Sequence, residues 1–124
     1  MKFGHTAAAL LAGVLVSACA PPQKYNWGGY EPALYSYYKD PTRAAQLAVV
    51  LDRVILASEQ TKRPIPPGMY AEYGYLLYQQ GKNAEAVTFF QKEKALWPES
   101  AYFMDTMIRT ASAAANKKAE AEQK

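Results

Sequence analysis

Apolar residues recur at helical spacing from Tyr30 to Ala111, and the pattern breaks at Asp40-Pro41, at residues 61–68 and at Pro98. Glu31-Pro32 can open a first helix with proline in its first turn. Leu34, Tyr35 and Tyr38 then share a face. Asp40 is a natural N-cap and Pro41 a natural first helical residue. The next helix gathers Ala44, Leu47, Ala48, Leu51, Val54, Ile55 and Ser58 on one side, with Arg43, Gln46, Arg53 and Gln60 opposite. Val49 and Val50 widen that stripe, which implies contacts with more than one neighbour. Thr61 to Gly68, with three prolines, reads as a stiff connector between helix pairs rather than as a proline-rich ligand. Glu99 to Ala111 gives a last helix, with Tyr102, Phe103, Met104, Met107 and Ile108 available to pack. Ala113 to Lys124 holds no large apolar residue and is expected as a frayed helix or disordered tail. The expected fold is all-α, a short stack of helical hairpins with about five helices over residues 30–111, followed by a polar tail at 112–124.

Residues 67–100 carry the clearest internal motif. They resemble a tetratricopeptide repeat, whose pattern is W-x2-L-G-x2-Y, then A-x3-F, then P. Tyr70 stands at the Trp place, Tyr73 at the Leu place, Gly74 at the Gly place and Leu77 at the Tyr place. Ala86, Phe90 and Pro98 match outright, and Gly81-Lys82 supplies the turn. The resemblance implies two antiparallel helices brought close by Gly74 and Ala86, with Tyr70, Leu77 and Phe90 filling the space around that contact and Pro98 ending the second helix. Glu93 departs from the pattern, standing where the family has a small residue, and is expected to loosen packing against the next helix. The preceding hairpin reads as a diverged copy, Tyr38 paralleling Tyr78 and Asp40-Pro41 paralleling the Gly81 turn. The last helix would cap the open apolar end, as repeat arrays require.

The start of the chain has another character. Lys2 precedes an apolar run from Ala7 to Val16, and small residues lead to Cys19, the single cysteine. Ten helical residues reach only about 15 Å, half of a ~30 Å hydrocarbon core, so this run is a poor permanent span. Val16-Ser17-Ala18-Cys19 resembles the lipobox of bacterial lipoproteins. The resemblance implies a signal peptide at 1–18 cut after Ala18, and a mature chain beginning at a multiply acylated Cys19, which would be held firmly on a membrane. Ala20 is not the aspartate of an inner-membrane retention signal, so the expected address is the outer membrane, on its periplasmic face. Residues 19–29, with Pro21-Pro22 and Gly28-Gly29, read as the lipidated cysteine and a flexible linker. Tyr25 and Trp27 interrupt this linker and are expected to dock on the domain rather than dip into lipid.

Charge and chemistry narrow the function. Fourteen basic against eleven acidic side chains give +3, and loss of Lys2 with the signal leaves +2, too weak to argue for nucleic acid. His5, the only histidine, would leave too, and Cys19 would be consumed by lipid. That removes Ser-His-Asp and Cys-His catalysis and His- or Cys-based metal sites, so no metal and no cofactor beyond the lipid is expected. Asp52, Glu59 and Glu72 remain as carboxylates and read as solvated helix surface. No glycine-rich phosphate loop is present.

Ten tyrosines are the other compositional signal. Adjacent Tyr37 and Tyr38 must point differently, so some rings face outward. Tyrosine is enriched at interaction surfaces. Tyr35, Tyr38, Tyr70, Tyr73 and Tyr78 are the candidate partner-binding residues, and Gly74, Leu77, Ala86, Phe90 and Pro98 the repeat-packing ones. With its lipobox, its Tyr25-Asn26-Trp27-Gly28-Gly29-Tyr30 stretch and its 67–98 hairpin, the chain resembles a family of small bacterial outer-membrane lipoproteins. Members tend to be encoded beside curli-secretion-channel-like lipoproteins. The resemblance implies a non-enzymatic adaptor that binds a protein partner in an envelope lipoprotein assembly. The alternatives are a regulator of a peptidoglycan synthase and, from another class, a carboxylate-dependent cell-wall hydrolase.

Overall fold

α2 (Ala44–Gln60) is the helix around which the first half of the domain is built, because its Leu47, Ala48, Leu51, Val54, Ile55 and Ser58 are all buried. The structure, a computed structural model, describes residues 22–123. Ala18 and Cys19, with the expected signal peptide and anchor, lie outside the described residues. Four further helices complete the stack: α1 (Tyr30–Lys39), α3 (Met69–Gln79), α4 (Asn83–Leu96) and α5 (Ala101–Glu122). Among the described residues there is no strand, so the all-α stack of five helices expected from the sequence is what the chain forms.

The stops are those the sequence encodes. Asp40 accepts from the Thr42 amide at 3.1 Å and opens a short 3-10 turn at Pro41–Arg43 that leads into α2. The connector is anchored, since Ile65 and Pro66 are buried in the core. Gly81 and Lys82 close the α3–α4 turn by donating to the carbonyls of Tyr78 at 2.9 Å and Leu77 at 3.0 Å. Pro98–Ser100 forms a second 3-10 turn before α5.

Apolar burial falls into two clusters. One gathers the α2 stripe with Ile65, Met69, Tyr70 and Leu76. The other joins Leu77, Ala86, Phe90, Met104 and Ala111 across α3, α4 and α5. Gly74 sits where α3 and α4 touch. A Cβ there would lie 2.8 Å from Phe90 Cε1 and 3.2 Å from the Ala86 carbonyl oxygen, closer than packing allows. Gly74, Leu77, Ala86 and Phe90 therefore meet at the α3–α4 contact.

Several expectations need correction. Residues 22–29 are not a free tether. Trp27 packs on the first core cluster and stacks on Tyr30 at 5.9 Å, so its docking is observed, and Tyr25 lies edge-on to Trp27. Gly28 is a fixed turn rather than a joint: its φ is +38°, and a Cβ would lie 2.9 Å from Val54 Cγ2. The expected tail is helical, because α5 runs without a break to Glu122. Its alanines, lysines and glutamates are strong helix formers, and Ala111 is fully buried where the extension begins. Val49 finds no second neighbour and remains 58% exposed.

Glu93 reverses its expected role. It is 2% exposed, and its carboxylate accepts from the Gly68 amide at 2.6 Å and the Ala71 amide at 3.4 Å. Gly68 has no side chain to cap α3, so a carboxylate from α4 satisfies those free N–H groups and meets the positive end of the helix. The residue expected to loosen the stack ties α4 to α3. Packing of α4 against α5 is completed by Lys94, which donates to Asp105 at 2.6 Å.

Candidate docking surfaces

The candidate tyrosines separate by environment. Tyr70 is buried, which takes it off any binding face, and its hydroxyl donates to Glu59 Oε1 at 2.7 Å. Lys92 reaches the same oxygen at 3.0 Å and lies 5.3 Å over the Tyr70 ring, so α2, α3 and α4 are clasped at one point. Tyr73 is half-buried, with its ring edge-on to Phe89 at 4.6 Å. Tyr78 is half-buried against the second cluster. These three serve packing first. Tyr35 and Tyr38 stay outside at 62% and 80% exposure, while Tyr37 turns inward onto the first cluster.

The carboxylates expected as solvated surface are acceptors for phenols. Tyr30 donates to Glu72 Oε2 at 2.6 Å, which links α1 to α3. Asp52 lies beside Tyr73 on the wall of one hollow. Burial first, then the paired carboxylate, pushes the hydroxyl pKa of Tyr30, Tyr70 and Tyr73 above the ordinary phenol value. Glu59 moves the other way, lowered chiefly by the Tyr70 hydrogen bond. Burial pushes Glu93 up, opposed by the backbone N–H groups it accepts from. Among the described residues, no group of three His, Cys, Asp or Glu side chains is placed to hold a metal ion.

Among the described residues, two open surfaces are predominantly apolar. The first is a groove between α3 and α5. Ala71, Glu72 and Tyr75 form one wall, Phe103 and Met107 the other, and Phe90 with Met104 the floor, around a hollow of about 320 Å³. Glu72 is the one charged residue along it and is held at the edge by Tyr30. Phe103 was expected to pack, yet it is 60% exposed, and neighbouring Tyr102 is 88% exposed. Only Met104 of that run is fully buried. The second surface is the outer stripe of α1, where Glu31, Leu34, Tyr35 and Tyr38 are spaced one helical face apart beside Tyr37.

The groove was the part that sequence reasoning missed. Tyr75 lies one turn before the half-buried Tyr78 on a helix apolar on most sides, and Phe103 stands next to buried Met104. Spacing alone does not separate the side facing α4 from the side left open. A usable signal was the run Tyr102-Phe103-Met104 on α5, three successive large side chains that cannot all face one neighbouring helix.

Residues 24–107 match the model of a family described as a domain of unknown function, DUF4810. No curated protein and no solved structure matches the chain. Among the described residues, no helix is long and apolar enough to cross a membrane.

Proposed function

We propose that this chain, which belongs to the DUF4810 family, is a lipid-anchored adaptor that binds a partner protein at the periplasmic face of the outer membrane. The observation that carries the reading is the α3/α5 groove, an apolar channel with exposed Phe103 and Tyr75 along its walls. Rings of this kind give large contact area at small entropic cost, and a groove between parallel faces of stacked helices accepts an apolar helix or extended peptide. The tetratricopeptide-like contact at Gly74, Ala86 and Phe90 supports the same reading, since it sets the helix spacing that leaves the groove open. Acylation of Cys19 would confine the domain to two dimensions and raise the effective concentration of a co-anchored partner, so modest affinity suffices. The favoured partner is a subunit of a curli-secretion-like lipoprotein assembly.

Affinity capture of the full chain from membranes in mild detergent tests this. A channel-like lipoprotein should be recovered with the native chain and with Tyr35→Ser, and lost with the double variant Tyr75→Ser/Phe103→Ser. Recovery of a penicillin-binding protein instead would shift the assignment to synthase regulation. Capture that ignores the groove variants would overturn the adaptor reading at this site. Metabolic labelling with a palmitate analogue should mark the native chain and fail to mark Cys19→Ala.

A further inference from the structure

We propose that the exposed face of α1 is a membrane-contact surface, seated in the headgroup region of the bilayer that holds the lipid on Cys19. The proposal rests on the anchor reading above. Its argument is the length of chain left free. Had residues 19–29 been a flexible linker, the domain could stand off the membrane. Trp27 instead packs against the core, and Tyr25 lies edge-on to it with ring centroids 5.9 Å apart. Only six residue steps separate Cys19 from Tyr25, and they span at most about 20 Å in any conformation. A compact domain of ~100 residues has a radius of gyration of about 13 Å, so its diameter exceeds that reach. The attachment point is therefore held within about 20 Å of the bilayer, and the part of the domain nearest the anchor is the part that meets it.

That part is the start of α1. Trp27 stacks on Tyr30, the first residue of the helix, so the tether ends at its N-terminal end. From there exposed Tyr35 and Tyr38 run outward beside half-buried Leu34, and Tyr38 lies only about 12 Å along the axis from Tyr30. Its chemistry suits the lipid interface, where amphipathic rings settle at headgroup depth. Lys39 lies 5.5 Å over the Tyr35 ring and Lys24 lies 5.1 Å over the Tyr25 ring, so each cation accompanies a phenol. Long basic side chains keep their charge among lipid phosphates while their stems lie along the rings. Glu31, the acidic residue of the stripe, sits in its first turn, a full helical turn or more from Tyr35 and Tyr38. α1 itself buries no residue fully, so its outer face is free for this role. The α3/α5 groove meets α1 at its Glu72 edge, where that carboxylate accepts from Tyr30, while Phe103 stands on the opposite wall on α5.

The test uses full-length lipidated protein in vesicles of phosphatidylethanolamine and phosphatidylglycerol. Because Cys19 is the only native cysteine and is blocked by lipid, Tyr38→Cys and Phe103→Cys each supply one free thiol for an environment-sensitive dye. Both positions are exposed, so neither change threatens folding. On reconstitution, the dye at position 38 should shift to the blue and lose iodide quenching several-fold, and the dye at position 103 should change little. Equal quenching at position 38 with and without vesicles would overturn the contact while leaving the anchor standing. Shielding at position 103 instead would overturn it as well. Absence of palmitate label from the native chain would sink anchor and contact together.

Discussion

Where α3 meets α4 the backbones themselves come together, with no room at Gly74 for even a methyl group, whereas α1 meets α2 through half-buried side chains and buries none of its own residues fully. The second hairpin is held by small residues on the inside, a ring across the gap in Phe90, and a carboxylate from α4 on the head of α3. The first is held by a ring stack laid over it from outside, Tyr25 on Trp27 on Tyr30, and by one phenol-to-carboxylate bond to α3. Close packing of the first kind fails abruptly when volume changes, while a surface stack can open locally and leave the rest intact. In our reading the difference matches the division of labour, with a rigid hairpin shaping the groove and a lighter helix lying against lipid.

The contrast can be broken at its strong side first. Phe90→Ala should destabilise the fold by about 4 kcal/mol, because a fully buried ring leaves a cavity between three helices. Gly74→Val should cost about 3 kcal/mol by forcing α3 from α4. Urea unfolding monitored by helical circular dichroism checks both, and a loss below 1 kcal/mol in either would disprove the close-packed contact. Glu93→Ala comes next at about 2 kcal/mol, since the Gly68 and Ala71 amides lose their acceptor. Glu93→Gln, which keeps one accepting oxygen, should recover part of that loss.

On the weaker side, Trp27→Ala should cost about 1–2 kcal/mol, as expected for a half-buried ring. Its effect should be local. Hydrogen exchange should speed up in α1 and stay slow in α3 and α4, and uniform acceleration would show that the two hairpins unfold as one. The smallest effect is Tyr70→Phe, about 1 kcal/mol for the hydrogen bond to Glu59, with a pH signature attached. Folding raises the Tyr70 and Tyr30 phenol pKa above the ordinary phenol value of 10.0, so the folded state holds those protons longer. Their contribution is intact below pH 10 and falls as pH climbs past it. Tyr70→Phe should flatten that alkaline decline in urea titrations at successive pH values.

Much of this was written in the local pattern. The α2 stripe, the Asp40 cap and the Gly81 turn follow from spacing, because period and turn chemistry act within a few residues, whereas the Gly74–Ala86–Phe90 contact was expected from the repeat resemblance. The tyrosines were harder. Five were singled out for a binding face, and Tyr70, Tyr73 and Tyr78 proved occupied by packing or by carboxylates, while exposed Phe103 was read as core. A helix apolar on several sides does not say which side its neighbours cover.

The chain's own pattern determined that it is helical, where most helices start and stop, and which small residues let α3 and α4 touch. Tertiary structure alone decided that Glu93 caps a helix twenty-five residues back at Gly68, that Trp27 closes over α2, and that Tyr75 and Phe103 face open space. The reason is one of range. Helical period and capping are set by neighbours along the chain, whereas burial of a given ring or carboxylate depends on which distant backbone arrives beside it.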